Sequence, residues 1–375
     1  MDINPFDVIV VGSGATGGVA ALTLAEQGVR VLVIEAGPQI KRNEASSNEP
    51  KDTLNRLSGI ISKKHANQSQ HPGYWKNNPD LYSNELNHPY SQSKEKPFLW
   101  TQGKQYGGRS LTWGGITLRF STDDFHPSKK DGYGPDWPIT YDELSPHYDF
   151  IEKFCGIYGQ KDNIEEVPNG KYIGEIPLTS NESFFGNQVK SKLNYPFIQS
   201  RGFDRNSSVK EDQWPRSSSI GTTFKKAIST GNVQILSNHL VESFETDKIT
   251  ELATKIIIVN LENGQRISLN CDLIILCAST ISTLRILLNS ESKSNSSGFK
   301  DTSSKLGKYL MDHISICRFF SIPNKIQKKN KSNQLWRCKN VLVLDGACWP
   351  TSSWQSPTLT MMAISRRACL NIKKT

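Results

Sequence analysis

The sequence predicts an α/β fold built on a parallel sheet, and three observations near the N-terminus carry that expectation. Residues 7–11, DVIVV, form a short β-branched run of the kind that fills a strand buried on both faces. Glycines follow at 12, 14 and 17, and then an alanine- and leucine-rich stretch that predicts a helix ending near Gly28. A second apolar run, RVLVIEAG, carries the chain to Glu35.

Each part has a physical task. Gly12 permits a tight turn, Gly14 lets the backbone approach a pyrophosphate, and Gly17 lets helix and strand pack closely. Ser13, Ala15, Thr16 and Gly18 complete the turn and the first helical residues, where free N–H groups and the positive end of the helix dipole face an anion. Glu35, with Ala36 beside it, is placed to accept hydrogen bonds from both ribose hydroxyls, and its charge disfavours a 2′-phosphate. Strand, glycines, helix, strand and acid occur in that order within about 30 residues, which predicts a Rossmann-like dinucleotide site. FAD and NAD both satisfy it.

A second glycine-rich block reads GGRSLTWGG. Gly107 and Gly108 suit backbone contact with a flat ring, and Ser110, Thr112 and Trp113 supply polar contacts and an apolar wall. An ordinary glycine-rich loop fits the same residues. Near the C-terminus, Asp345 and Gly346 follow the apolar run 341–344, so the Asp345 carboxylate is expected at a strand's carboxyl end, where ligands collect in open α/β sheets.

The blocks GSGATGG, GGRSLTWGG, WPITYDELSPHYDFIEKFCGIYG, LIILCASTISTLRILLNS, LGKYLMDH and LVLDGACWPTSSWQSPTLTMMAISRRA, taken in order, resemble the glucose–methanol–choline oxidoreductases. The flavour is that of their pyranose-oxidase and sugar-acid-dehydrogenase branch. The resemblance implies an FAD-binding domain assembled from discontinuous segments, with an antiparallel substrate domain inserted between them. It implies that Gly12, Gly14, Gly17, Gly18 and Glu35 contact the ADP half of FAD, that the Val241 backbone faces adenine, and that Ala278 and Ser279 form the small turn near the pyrophosphate. It further makes Asp345 the ribityl contact and puts Gly346, Pro357 and Thr358 on the flavin surface. Where the covalent branch carries a flavin-linking histidine this chain has Thr112, which cannot form that link, so non-covalent FAD is expected.

The same resemblance exposes an absence. The family takes the alcohol's proton on a histidine while hydride passes to flavin N5, and a neutral imidazole suits that task near pH 7. The chain's histidines are at 65, 71, 88, 126, 147, 239 and 313, and none stands in the last 36 residues. Ser356 occupies the family's second His or Asn position, and a serine hydroxyl cannot replace imidazole as a base. Residues 314–339 hold room for about two strands, one of them 314–322, where the family has most of its substrate sheet. An internal deletion joined near Lys325 to Asn333 accounts for this, and the catalytic residue is left unassigned.

The expected organisation is therefore a nucleotide domain in residues 1–159 with a long polar loop over 38–100, a reduced α+β substrate-domain remnant or lid in 160–214, and the nucleotide domain's second part in 215–313. A shortened substrate segment in 314–339 and a closing nucleotide-domain segment in 340–375 complete it. The function expected is FAD-dependent oxidation of CH–OH groups in an alcohol or sugar, with an inactive FAD-binding or partner-binding remnant as the alternative. An NAD-dependent dehydrogenase would explain Glu35 but leave the C-terminal block without a role.

Composition sets outer bounds. The chain has 375 residues, 36% of them hydrophobic, and a net charge of +9; its mean hydropathy is −0.48. The basic residues are scattered and not interleaved with stacking aromatics, so a nucleic-acid partner is not expected. Seven cysteines without a CxxC pair argue against zinc or a dithiol centre and no metal is expected. There is no leader-like segment and no apolar run approaching 18 residues, so a cytoplasmic protein without a membrane span is expected.

Overall fold

The computed structural model describes residues 6–130, 132, 134–203, 213–247, 249–250, 252–293, 305–308, 310–311, 316–317, 338–339 and 357–371. Its elements begin with β1 (Val8–Val11), α1 (Ala15–Glu26), β2 (Val31–Ile34), α2 (Arg42–Ala45) and α3 (Lys51–Ile61). Then come α4 (Pro127–Lys130), α5 (Tyr141–Cys155), α6 (Ser180–Leu193) and α7 (Thr223–Ser229). The strands β3 (Val233–Leu236), β4 (His239–Thr246), β5 (Ala253–Asn260), β6 (Arg266–Asn270) and β7 (Ile274–Leu276) precede α8 (Thr280–Lys293). Last are β8 (Ile316–Cys317), β9 (Cys338–Lys339) and α9 (Thr358–Leu370).

Packing divides the chain into one unit of residues 1–114, 208–308 and 365–375 and another of 115–207 and 309–364. In the first, β3-β2-β1-β7 form a sheet in which every pairing is parallel, with Val8 opposite Val31 and Ile9 opposite Ile274. The expectation of an α/β fold is met, because β1 and β2 are buried at every position and only a sheet covered on both faces accommodates such runs. One face is covered by α1 and α7, whose approach is so close that a Cβ on Gly18 would lie 2.5 Å from Thr223 Oγ1. On the other, the antiparallel sheet β4-β5-β6 joins a core of Ile9, Val11, Leu32, Ile34, Val241, Ile256, Ile258 and Ile286.

The polar stretch expected as a loop over 38–100 is more ordered than its composition suggests. Its helix α3 inverts the usual pattern: Asp52, Arg56 and Gly59 are buried, while Leu54, Leu57 and Ile61 are exposed. The buried guanidinium of Arg56 donates to the Tyr74 and Asn77 carbonyls at 3.1 and 3.0 Å and pairs with Glu49. His65 Nδ1 lies 3.0 Å from the Tyr74 hydroxyl. Hydrogen bonds organise this segment where apolar residues are scarce.

In the second unit, the described residues of 160–203 form the helix α6 and isolated bridges, in keeping with their polar, glycine-interrupted sequence. Packing groups residues 115–159 with this segment. Arg119 is the reason: its side chain is buried between Glu152, at 2.9 and 2.6 Å, and Asp149, at 2.6 Å, and Glu152 also accepts the Lys171 N–H at 2.6 Å. Of the expected strand 314–322 only Ile316–Cys317 is described, paired antiparallel with Cys338–Lys339. Among the described residues no helix is long and apolar enough to cross a membrane.

The Arg119 cluster sets a stability test. Glu152→Ala leaves the buried guanidinium with Asp149 as its remaining carboxylate and should lower the unfolding free energy by about 1.5–3 kcal/mol, the range for lost hydrogen bonds to a charged group, read from the urea midpoint. A loss under about 1 kcal/mol, the range of an exposed pair, would show that water reaches the pair.

Candidate nucleotide site

The site is built where β1, β2 and β7 end together. Gly12 has φ +99°, and a Cβ there would stand 2.4 Å from the Cys277 carbonyl oxygen, so only glycine fits. The Cys277 N–H donates to Val11 O at 2.8 Å and the Gly12 N–H to Ile34 O at 2.8 Å, which fixes the turn against both neighbouring strands. A Cβ on Gly17 would lie 1.9 Å from Gly12 O, so this glycine sets how closely α1 follows the strand.

Gly14 is different. Nothing lies within 4 Å of the position its Cβ would take. Among the described residues α1 has no side-chain cap and no acid in its first turn, so the amides that no helix can satisfy internally, those following Ser13 through Ala15 and Thr16, present an open anion cradle. Gly108, with φ +51°, places its missing Cβ 3.6 Å from Gly14 Cα, so the second glycine block borders this opening.

Glu35 sits at the end of β2, buried, and is engaged by the protein itself. Oε2 accepts from the Ser13 N–H at 3.0 Å and the Ser13 hydroxyl at 2.6 Å, and Oε1 accepts from the Gly37 N–H at 2.8 Å. Burial raises its pKa above the ordinary carboxylate value, against the lowering effect of these donors.

The hydroxyl chain continues. Ser13 Oγ accepts from the Gly107 N–H at 2.9 Å, and Ser13 O accepts from Ser219 Oγ at 2.7 Å. Ser110 Oγ donates to Gly107 O at 2.6 Å and accepts from the Ser219 N–H at 3.0 Å. Sequence reasoning missed Ser219, which ties the two glycine blocks together; its only signal is the run of serines at 217–219 shortly before α7. Trp113 Nε1 donates to Ser217 O at 2.8 Å, and Thr112 is buried with its carbonyl 3.3 Å from Asn77 Nδ2.

The remaining expected residues fall into three groups. Ala278 and Ser279 border the Gly12 turn, with Ala278 Cα 3.3 Å from the Gly12 Cβ position and Ser279 at φ +75°. Val241 is a core residue of β4 beside a register shift, and Ala36 follows Glu35 just past the carboxyl end of β2. Pro357 and Thr358 open α9 in the second unit, while Asp345 and Gly346 lie outside the described residues. Residues Ser365 onward rejoin the first unit, where Ser365 Oγ donates to Thr16 O at 2.9 Å.

Two outcomes test this frame. Gly17→Ala should abolish soluble folded protein, since the clash is with backbone. Glu35 holds its proton more tightly in the folded state, so its contribution to ligand-free stability is greatest below its ordinary value of 4.5 and is lost as pH rises through the folded value. Thermal midpoints across that interval should fall with pH in the native chain and lose that component in Glu35→Gln; identical profiles would show the carboxylate to be hydrated.

Comparison with known proteins agrees with the geometry. Residues 7–79 match the model of an FAD binding domain. The chain is 25% identical over 350 residues to the fructose dehydrogenase large subunit of Gluconobacter japonicus, covering 88% of this chain and 62% of that protein. It is 24% identical over 339 residues to 2-methyl-1,2-propanediol dehydrogenase of Mycolicibacterium austroafricanum, covering 82% and 55% respectively. A solved formate oxidase of Aspergillus oryzae aligns with 82% of this chain and 52% of that one, at 17% identity and a TM-score of 0.48. The chain thus spans less than two thirds of the length of the curated relatives it matches. In the order of its motifs, in its match to an FAD binding domain and in these two relatives, it is similar to FAD-binding oxidoreductases of the glucose–methanol–choline type.

Proposed function

We propose that this chain binds FAD without a covalent link and is built on the frame of an enzyme that oxidises CH–OH groups of alcohols or sugars. The observation that carries the first part is the open Gly14 position at the uncapped start of α1, faced by Gly108. Gly12, Ser13, Gly14, Ala15, Thr16, Gly17 and Gly18 would hold the pyrophosphate, with Ala278 and Ser279 beside it. Glu35 and Ala36 would border the ribose, and Val241 the adenine. Gly107, Gly108, Ser110, Thr112 and Trp113 would line the flavin, joined by Asp345, Gly346, Pro357 and Thr358 from the closing segment. Bound FAD would supply the hydride acceptor at N5. The substrate class, an alcohol or a sugar, follows the names of the two dehydrogenases above, and the electron acceptor is left open.

A second reading, an FAD-binding remnant with no turnover, has its own support. Of the histidines near the GGRSLTWGG block, His71 feels the charge of Arg109, but burial first and that charge second push its pKa down to about 4. Its Nδ1 already accepts from the Gly73 N–H at 3.0 Å. Such an imidazole is a weak base at neutral pH. Loss of the catalytic block through an internal deletion accords with relatives that carry over a third of their length beyond the shared span.

The purified chain should be yellow, and acid precipitation should release its flavin into the supernatant; flavin retained in the pellet would overturn the non-covalent reading. Gly14→Ala should keep the native melting temperature and lose the flavin, because the added methyl meets no protein atom. Anaerobic bleaching by alcohols or aldoses would establish the enzyme, and yellow protein that none of them reduces would establish the remnant.

A further inference from the structure

Among the described residues, two buried polar atoms without a hydrogen-bond partner lie two residues apart, Ser237 Oγ and His239 Nε2. Buried polar groups are paired in folded proteins, so an unpaired cluster points to something the protein is built to meet. The turn that holds them is fastened along the nucleotide edge of the sheet. The Asn238 N–H donates to Gly37 O at 3.2 Å and the His239 N–H to Glu35 O at 3.1 Å, with Asn238 in the left-handed region at φ +58°. Residues 237–239 therefore run beside residues 35–37, the segment proposed to border the ribose.

The tautomer of His239 follows from its contact. Nδ1 lies 2.6 Å from the Ser237 carbonyl oxygen, and a carbonyl only accepts, so Nδ1 carries the hydrogen. In the neutral ring Nε2 is then a bare acceptor. The imidazole is 3% exposed, so bulk water does not satisfy it. A hydroxyl that can donate, Ser237 Oγ, and a ring nitrogen that can only accept form a donor–acceptor pair in one turn. The 6-aminopurine edge is its complement, with an amino donor next to a ring-nitrogen acceptor.

We propose that His239, with Ser237 beside it, is a specificity-determining residue that reads the exocyclic amino group of adenine in the bound dinucleotide. This rests on the FAD reading above. Hypoxanthine carries an oxygen in place of that amino group and would set acceptor against acceptor at Nε2.

Calorimetry on the flavin-free chain with ADP and with inosine diphosphate tests it. ADP should bind about tenfold more tightly, the effect of one hydrogen bond exchanged for an unpaired acceptor. In His239→Leu the preference should fall to about twofold or less while the melting temperature holds, and Ser237→Ala should reduce it in part. Equal binding of the two nucleotides to the native chain, which requires no variant, would overturn the inference and leave the nucleotide site intact. A preference unchanged in His239→Leu would also overturn it, making the ring a structural one. If neither nucleotide binds, the dinucleotide reading itself fails, and this one with it.

Discussion

The first unit depends on one close approach: the carbonyl of Cys277 occupies the space a side chain on Gly12 would need. Because β1 can turn there, the chain enters α1 with its first amides aimed outward from the sheet's carboxyl end, and Gly17 then lets the helix lie back along the strand it left. The contact also couples the outer strand β7 to the turn, since the Cys277 amide reaches Val11. A methyl group at position 12 would part the strands that the nucleotide would bridge.

Around this turn the protein spends buried polar groups where a more hydrophobic chain would use apolar contacts. Glu35 is held by Ser13 and Gly37, and Ser13, Ser110 and Ser219 extend the chain of hydroxyls into the second glycine block. Such a network fixes orientation more sharply than packing does, because each hydroxyl has few partners available to it. The same economy shows in Arg56 with the Tyr74 and Asn77 carbonyls, and in Arg119 with Glu152. The frame for a cofactor is dense with placed donors, and among the described residues His71 already has its Nδ1 engaged by the Gly73 N–H.

The β1–α1–β2 unit was legible in the sequence because its causes are local: β-branched runs, glycines at fixed offsets, and an acid at the end of the second run. Ser219 was not, since a serine in a run of serines acquires a role only when residues distant in sequence fold beside it. The 38–100 segment misled for a different reason. Hydropathy scores Arg56, His65 and Gln68 as surface residues, whereas here they form a buried hydrogen-bonded centre under a helix whose leucines face outward. Glu35 was found, but its internal partners were not, because burial of a carboxylate brings donors from whatever backbone lies nearest.

The strand order β3-β2-β1-β7 has a consequence during synthesis. The two inner strands leave the ribosome early, and the strands that flank them come from residues 233–236 and 274–276. At about 5–20 residues per second, the pair waits roughly 10–40 s for its first neighbour. For that interval both of its edges are open and its apolar faces lack the β4–β6 cover, so the nascent chain depends on whatever shields it until its own later strands arrive.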